Sequence, residues 1–505
     1  MTLPSVLDPF FAVARTDPDR PAVLDNGVTV GYGQLARWAG AVADLVATRG
    51  PAPHPPVGIV AHHSARDIAA ILGVLAAGRG YVPVVDEPAG HMDQALRALG
   101  CREVVTTAET GRLPAVDRLL RPNWGPSRAP LREAGEPVGA DDPAYVLFTS
   151  GSTGAPKAAA VPHGALHAVI PQLRERYGVG PDTVALNFHR ADGDTSLEEI
   201  LPTLCAGGLV VIDENSETDL GGVLAEAEIT VVNLPVDYWH VFTGHLLEHG
   251  LKLPGTLDTV VIGGEAVRPD MLERWHRLGA DGVRLLNTYG STETALVTHT
   301  AELAGPAAEG PFPEGIPIGR PLPSVRQAIV PRADAPGGTA APGELYLAGP
   351  HLATGYLDDP ERTAARFVRA DSVGLGDVGD RTRWYRTGDL VHEAADGSLV
   401  FHGRIDHQVK IRGHRVDLLD VEHHLGRQPG VIAVAAAEHV KGDHNSLVAF
   451  VVLAPDAPND VRGLREGLRA TLPAYLVPDR MVAVPALVHT RTGKVDRAAT
   501  RDRYL

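Results

Sequence analysis

The sequence predicts an α/β protein: a large N-terminal domain of parallel-sheet βαβ layers with a small β subdomain, followed by a compact α+β C-terminal domain. Three observations predict it. Short β-branched runs alternate with helix-length amphipathic stretches from about 57 to 290. Residues 301–343 are rich in Pro, Gly and Ala and lose that periodicity. From about 398 a second alternation begins, long enough for a domain of its own.

Taken in order, strands are expected at 57–60, 81–85, 144–149, 183–188, 209–212, 229–233, 259–262 and 283–286, each a short run rich in Val, Ile, Leu, Tyr or Phe. Between them, 67–77 and 196–206 have the length and spacing of helices. Such alternation implies right-handed βαβ crossovers and largely parallel sheets, with ligands bound beyond the carboxyl ends of the strands. The C-terminal pattern reads strand 399–403, strand 408–412, helix 418–427, strands 431–437 and 447–453, helix 461–471 and strand 480–484. The expected division is 1–404 for the core and 405–505 for the second domain.

Composition narrows the function classes. With 62 acidic against 46 basic residues and a net charge of −16, broad binding to nucleic acid or an anionic membrane is not expected. No basic leader followed by a long apolar core opens the sequence, and the apolar run 68–78 is too short to span a bilayer, so a cytoplasmic protein is expected. Cys101 and Cys205 make neither a disulfide framework nor a zinc spacing. Of the 22 histidines, His163 with His167 and the adjacent His423 and His424 lack a third ligand and are read as structural or solvated. Only five of the basic residues are lysines, at 157, 252, 410, 441 and 494. A lysine retained against that bias is a candidate for a required ammonium.

One stretch carries phosphate chemistry. A β-run leads into Thr149-Ser-Gly-Ser-Thr-Gly-Ala-Pro-Lys157, where Ser150, Ser152 and Thr153 alternate with Gly151 and Gly154 and Lys157 closes the loop. Glycines let backbone N–H groups approach phosphate oxygens, hydroxyls add donors and the lysine adds a compact charge. Pro156 and Ala158 flank the lysine where a Walker loop has Gly and Ser/Thr, which argues against a P-loop kinase.

This loop resembles the phosphate loop of the adenylate-forming superfamily, which includes nonribosomal peptide synthetase adenylation domains, acyl- and aryl-CoA ligases and luciferases. Further motifs of that superfamily follow in order: Tyr81-Val-Pro-Val, Asn287-Thr-Tyr-Gly-Ser-Thr-Glu293, Gly343-Glu-Leu, Tyr385-Arg-Thr-Gly-Asp-Leu390, Gly403-Arg-Ile-Asp-His-Gln-Val-Lys-Ile-Arg-Gly413 and Thr492-Gly-Lys-Val-Asp-Arg497. The resemblance implies ATP as nucleotide and Mg²⁺ as metal, with the small domain acting as a lid. It places Tyr289, beside Asn287 and Thr288, against adenine, Glu293 on Mg²⁺, Asp389 on the ribose hydroxyls and Arg404 on ribose or phosphate. It makes Asp406 the hinge, Lys494 the bridge between substrate carboxylate and α-phosphate, and Lys410 part of a thioester-forming face. Ser291 stands where the family usually has Pro and Ala158 where it usually has Gly; activity is expected to survive both.

The segment Gln408-Val-Lys-Ile-Arg-Gly413 is closer to amino-acid-activating synthetases than to CoA ligases. Carried over residue by residue, the substrate pocket is Asp194, Thr195, Glu198, Asp237, Val261, Gly263, Thr288, Leu296, Val297 and Lys494, with Asp194 pairing the substrate ammonium. Glu198 and Asp237 add two carboxylates, and uncompensated buried carboxylates favour a cation. The set is similar to pockets that select β-lysine in streptothricin- and tuberactinomycin-type antibiotic pathways. An exposed Glu198-Glu199 helical face is the bland alternative.

The expected reaction is adenylation of a diamino acid, then transfer to the phosphopantetheine of a separate peptidyl carrier protein, because no Leu-Gly-Gly-x-Ser carrier motif is present and few residues follow Lys494. A small activating partner protein is compatible with the sequence. The rivals are an acyl- or aryl-CoA ligase, lysine or ornithine in place of β-lysine, and a non-catalytic nucleotide-binding module.

Overall fold

The computed structural model describes residues 2–47, 54–84, 96–107, 116–126, 129–149, 157–308, 310–331, 342–377, 380–405, 408–441, 444–454, 461–489 and 495–505. Two large sheets dominate it. In the first, Pro143–Thr149, Tyr81–Val84, Val57–Val60, Glu103–Thr106 and Arg118–Leu120 run parallel, and Lys157–Pro162 then Gly355–Tyr356 add an antiparallel edge. In the second, the parallel run is Pro21–Asp25, Leu209–Ile212, Val184–Leu186, Val231–Pro235, Thr259–Gly263 and Arg284–Tyr289.

The expectation of largely parallel sheets holds only to Tyr289. From there His299–Ala304, Pro317–Pro321, Leu399–Arg404, Arg383–Glu393, Gly343–Ala348 and Arg326–Val330 continue the second sheet with every pairing antiparallel. The small β part is thus hydrogen-bonded to the parallel part without a break, because His299–Ala304 pairs with a strand on each side. Within 301–343 the described residues hold the short strands Pro317–Pro321 and Arg326–Val330, the small-β structure expected there, with irregular chain between them.

Helices seal both sheets. Ala65–Ala76 begins with a capping box between Ser64 and Asp67, and almost all of its side chains are buried, as the helix between two sheets must be. Thr195–Ala206 stops at Gly207, whose φ of +86° is the left-handed geometry that favours glycine. Between the sheets lies one extensive apolar cluster, running from Leu7 and Phe10 through Tyr81, Leu197 and Val261 to Leu399. A second surrounds Trp239 and Trp275 on the other face of the second sheet.

Residues from Gln408 onward form the α+β unit the sequence predicts, with the hairpin of Gln408–Ile411 and His414–Asp417, helices Leu418–Gly426 and Val461–Arg469, and the three-stranded sheet of Val431–Lys441, His444–Leu453 and Arg480–Ala483. Its apolar clusters draw on no residue before Val409. A closing helix, Arg497–Tyr504, was not expected from periodicity; Asp496 caps it by accepting from the Ala499 N–H. No helix among the described residues is long and apolar enough to cross a membrane.

Candidate active site

The parallel strands of the second sheet aim their carboxyl ends at one place. Register sets Pro235, Gly263 and Thr288 side by side at the ends of three adjacent strands. A Cβ on Gly263 would lie 2.3 Å from Thr288 Oγ1, so glycine is required for that hydroxyl to keep its hydrogen bond to the Ile262 carbonyl at 3.0 Å. Val261 lies one pleat deeper and is buried. Beyond Tyr289 the chain folds back on itself: a Cβ on Gly290 would meet the Leu296 carbonyl at 1.8 Å, and Ala295 and Leu296 take φ of +49° and +66°. Backbone held in that region by non-glycine residues costs free energy and concentrates at functional sites. Leu296 and Val297 are buried against the shared core.

Helix Thr195–Ala206 brings its first turn to the same place. Asp194 occupies the residue before the helix yet does not cap it; its φ of −69° and ψ of −19° are helical rather than extended. Its Oδ2 is buried with no hydrogen-bond partner. Burial pushes the carboxyl up from its ordinary value, Glu293 pushes the same way, and Thr292 and Lys410 act against them.

Glu198 is 7% exposed and Glu199 4%, so the bland alternative of an exposed helical face is wrong. The two carboxylates have different partners. Glu199 accepts from Asn187 Nδ2 at 2.6 Å and from the His189 backbone N–H at 3.2 Å, and its Oε1 lies 2.7 Å from His189 Nδ1. It thereby ties down the unusual Asn187-Phe-His-Arg segment. Glu198 Oε2 accepts from Tyr177 at 2.7 Å and Asn233 at 3.3 Å, while burial together with Asp194 and Glu199 pushes its carboxyl up to about 8.

Asp237 starts helix Val236–His249 just past the same strand ends, but its contacts are elsewhere. It accepts from the Asn445 backbone N–H at 3.3 Å and faces His240 and Glu265. Thr195 is partly exposed at the helix start.

The described residues of the motifs expected to hold the nucleotide meet along the seam of the two sheets. Lys157 opens its strand opposite Thr149, so an antiparallel pair closes the ends of the phosphate loop, and the lysine is 7% exposed. Ser150, Gly151, Ser152, Thr153 and Gly154 lie outside the described residues, as do Asp406 and Lys494. Glu293, 1% exposed in the turn Thr292–Thr294, accepts from Tyr356 at 2.8 Å, and Tyr356 belongs to the edge strand of the other sheet. The donor set suits magnesium, which takes few protein oxygens and leaves positions for phosphate and water: a buried carboxylate in a turn that also carries Ser291 and Thr294 hydroxyls.

Tyr289, Asp389 and Arg404 form a chain across three strands. The Tyr289 hydroxyl donates to Asp389 Oδ2 and the Arg404 guanidinium to Asp389 Oδ1, with a further bond from Arg404 to the Thr387 carbonyl at 2.9 Å. Asn287 is buried and donates to the Pro317 carbonyl at 2.8 Å, which fixes the strand beneath Tyr289.

Sequence reasoning missed Tyr177, Asn233 and Glu265. Glu265 accepts from the Gly413 N–H at 2.8 Å, and burial with Asp237 beside it raises its carboxyl to about 8. Nothing in the local sequence marks these three; only the fold brings them to carboxylates far away in the chain.

Lys157, Glu293 and Asp389 thus stand in one region of the fold, where the resemblance of their motifs leads one to expect the phosphate, metal and ribose contacts of an adenylate-forming ligase. Comparison with known proteins agrees. Residues 10–357 match the AMP-binding enzyme model and residues 420–494 match the AMP-binding enzyme C-terminal domain, so the chain belongs to the AMP-binding enzyme family. It is 37% identical over 95% of its length to an isonitrile lipopeptide synthase of Streptomyces coeruleorubidus, and 35% identical over 97% to a phenyloxazoline synthase of a Mycobacterium strain. It spans 32% and 41% of those two relatives. Among solved structures, an NRPS protein containing adenylation and PCP domains bound to a vinylsulfonamide inhibitor superposes with a TM-score of 0.83 at 28% identity, covering 99% of this chain and 84% of that one.

Proposed function

We propose that the protein uses ATP to activate a cationic diamino acid, β-lysine or lysine, and passes the acyl group to the phosphopantetheine thiol of a separate carrier protein. In the first step a carboxylate oxygen of the amino acid attacks the α-phosphorus, the bond from that phosphorus to the bridging oxygen breaks, and pyrophosphate leaves. Thr149 to Gly154 and Lys157 hold the phosphates, Tyr289 with Asn287 and Thr288 lines the adenine, and Asp389 with Arg404 holds the ribose. Magnesium held by Glu293 would neutralise phosphate charge as pyrophosphate departs. Lys494 has the role of lowering the repulsion between the two anions that must approach each other. In the second step the thiol attacks the acyl carbon and AMP leaves, with the 405–505 domain turning about Asp406 to present Lys410.

The observation that carries the substrate assignment is the unpartnered buried Asp194 oxygen with Glu198 four residues along the same helix. Two carboxylates held in one apolar wall are costly unless a cation meets them. Asp194 takes the ammonium nearer the substrate carboxylate, and Glu198 the distal one. Thr195, Val261, Gly263, Leu296 and Val297 shape the wall between them, and Asp237 adds negative potential at the rim.

Incubation with ATP, magnesium and a panel of α- and β-amino acids, read by mass spectrometry for the aminoacyl-AMP, tests this. Adenylates of lysine-type acids are expected. An adenylate formed only from apolar or aryl acids would contradict the assignment.

A further inference from the structure

Glu198 is clamped from behind by two residues outside the expected site. Tyr177 ends helix His163–Tyr177, where Gly178 at φ +71° caps the helix, and its ring is 3% exposed. Its hydroxyl donates to Glu198 Oε2 at 2.7 Å. Asn233, buried in the middle of strand Val231–Pro235, donates to the same oxygen at 3.3 Å. Glu198 Oε1 receives no hydrogen bond among the described residues.

The asymmetry matters. A glutamate side chain gives up rotamer freedom when held in one place, and two donors on one oxygen supply the restraint. They also stabilise the ionised form against Asp194 and Glu199, the two carboxylates that repel it. Glu199 does not compete for the clamp, because Asn187 and His189 occupy it. Tyr177 stays protonated, since burial and Glu198 both push its phenol up, so it remains a donor.

We propose that Tyr177 and Asn233 are specificity-determining positioning residues that hold Glu198 Oε2 and so present Oε1 to the distal ammonium of the substrate. This rests on the reading of Asp194 and Glu198 as the diamino-acid pocket. Neither residue touches the substrate; both act through Glu198.

The test is ATP–pyrophosphate exchange by the full chain with lysine, β-lysine and norleucine, which has no distal ammonium, comparing wild type with Tyr177→Phe, Asn233→Ala and Glu198→Gln across pH 6 to 9. The clamp predicts that Tyr177→Phe and Asn233→Ala each lose about tenfold in the ratio of kcat/KM for the lysine-type acid over norleucine, as one hydrogen bond to a charged group implies. The loss should be carried by KM, with its pH midpoint moved upward because a donor favouring the anion is gone. Selectivity and pH midpoint unchanged in both variants, while Glu198→Gln loses selectivity, would overturn the clamp and leave the pocket reading standing. Selectivity unchanged in Glu198→Gln as well would overturn both. Should Tyr177→Phe fail to fold, the Asn233→Ala comparison decides alone.

Discussion

The carboxylate of Asp237 accepts a hydrogen bond from the backbone N–H of Asn445 at 3.3 Å, joining a core helix to the α+β unit more than two hundred residues later. Beside it Glu265 accepts from Gly413 at 2.8 Å, and Gly413 has a φ of +79° that suits glycine. The charge of Lys410 draws the carboxyls of both Asp194 and Glu265 downward. Glu265 therefore seats the hairpin that carries Lys410 against the core, and Asp237 seats the strand His444–Leu453 beside it, each accepting from a backbone N–H.

That seat is pH-dependent in a defined direction. Glu265 has a carboxyl raised from 4.5 to about 8, so the seated state binds a proton more tightly than the released one. Its contribution is greatest at low pH and is lost as pH rises through about 8. Hydrogen exchange at residues 408–417 should be slower at pH 6 than at pH 9 after correction for intrinsic rates. In Glu265→Gln the difference should shrink, and in Glu265→Ala protection should fall about tenfold at both pH values, the worth of one hydrogen bond. Equal protection in wild type and Glu265→Ala would remove the seat from the account.

Glu198 predicts the opposite trend for substrate. Its carboxyl lies at about 8 without a cation beside it, and only the anion pairs with an ammonium whose own pKa is roughly 10.4. KM for lysine-type substrates should fall from pH 6 toward pH 8 and level off above it. Glu198→Gln should flatten the curve.

Lys157 should tolerate no replacement. Steady-state pyrophosphate exchange by Lys157→Ala is expected to drop by about 10² or more, the usual cost of removing one charge-stabilising donor. Lys157→Arg should recover little, because a planar fork does not fill the place of a compact ammonium at the base of a closed hairpin. Full recovery by arginine would argue that only net charge is needed there.

Gly263 and Thr288 should behave as one unit. Gly263→Ala drives a methyl to 2.3 Å from Thr288 Oγ1 and should cost about 1–3 kcal/mol in denaturant unfolding. Thr288→Ala in the same chain removes the clash, so the double variant should be more stable than Gly263→Ala alone. Strict additivity would show that the contact is not what excludes alanine.

Ser291 departs from the family's usual proline for a visible reason. Its φ is −150° and its N–H donates to Thr294 Oγ1 at 3.1 Å; proline fixes φ near −65° and has no N–H. Ser291→Pro should therefore lower thermal stability and exchange activity, although it restores the common residue. A gain in either would show that the turn readily adopts the proline geometry.

Most parallel strands were legible as short β-rich runs, and 57–60 and 209–212 end where expected, but the parallel strands Glu103–Thr106 and Arg118–Leu120 were missed. The hairpin of Pro21–Asp25 and Val28–Gly31 was missed although Asn26 and Gly27, at φ +45° and +82°, form the turn that Asn-Gly signals between two β-runs. The antiparallel continuation beyond Tyr289 was not legible, because the pairing of His299–Ala304 with Pro317–Pro321 is decided by distant strands and not by local periodicity. The same holds in the site. Lys157, Glu293 and Asp389 announce themselves in compact motifs, whereas Tyr177 reaches Glu198, and Glu265 reaches Gly413, only through tertiary packing. Asp237 shows the reverse: its place in the motif order suggests a substrate wall, and its hydrogen bond goes to Asn445.

The most direct test of the central claim is the ratio of kcat/KM in ATP–pyrophosphate exchange for β-lysine or lysine over norleucine at pH 8, in wild type and in Asp194→Asn with Glu198→Gln. A wild-type ratio of about 10 to 10² is expected, collapsing toward unity in the double variant, because norleucine keeps the ammonium that Asp194 pairs and only the distal pair with Glu198, worth roughly 1.5–3 kcal/mol, separates the two substrates. A wild-type ratio near unity, or one that survives loss of both carboxylates, would contradict it.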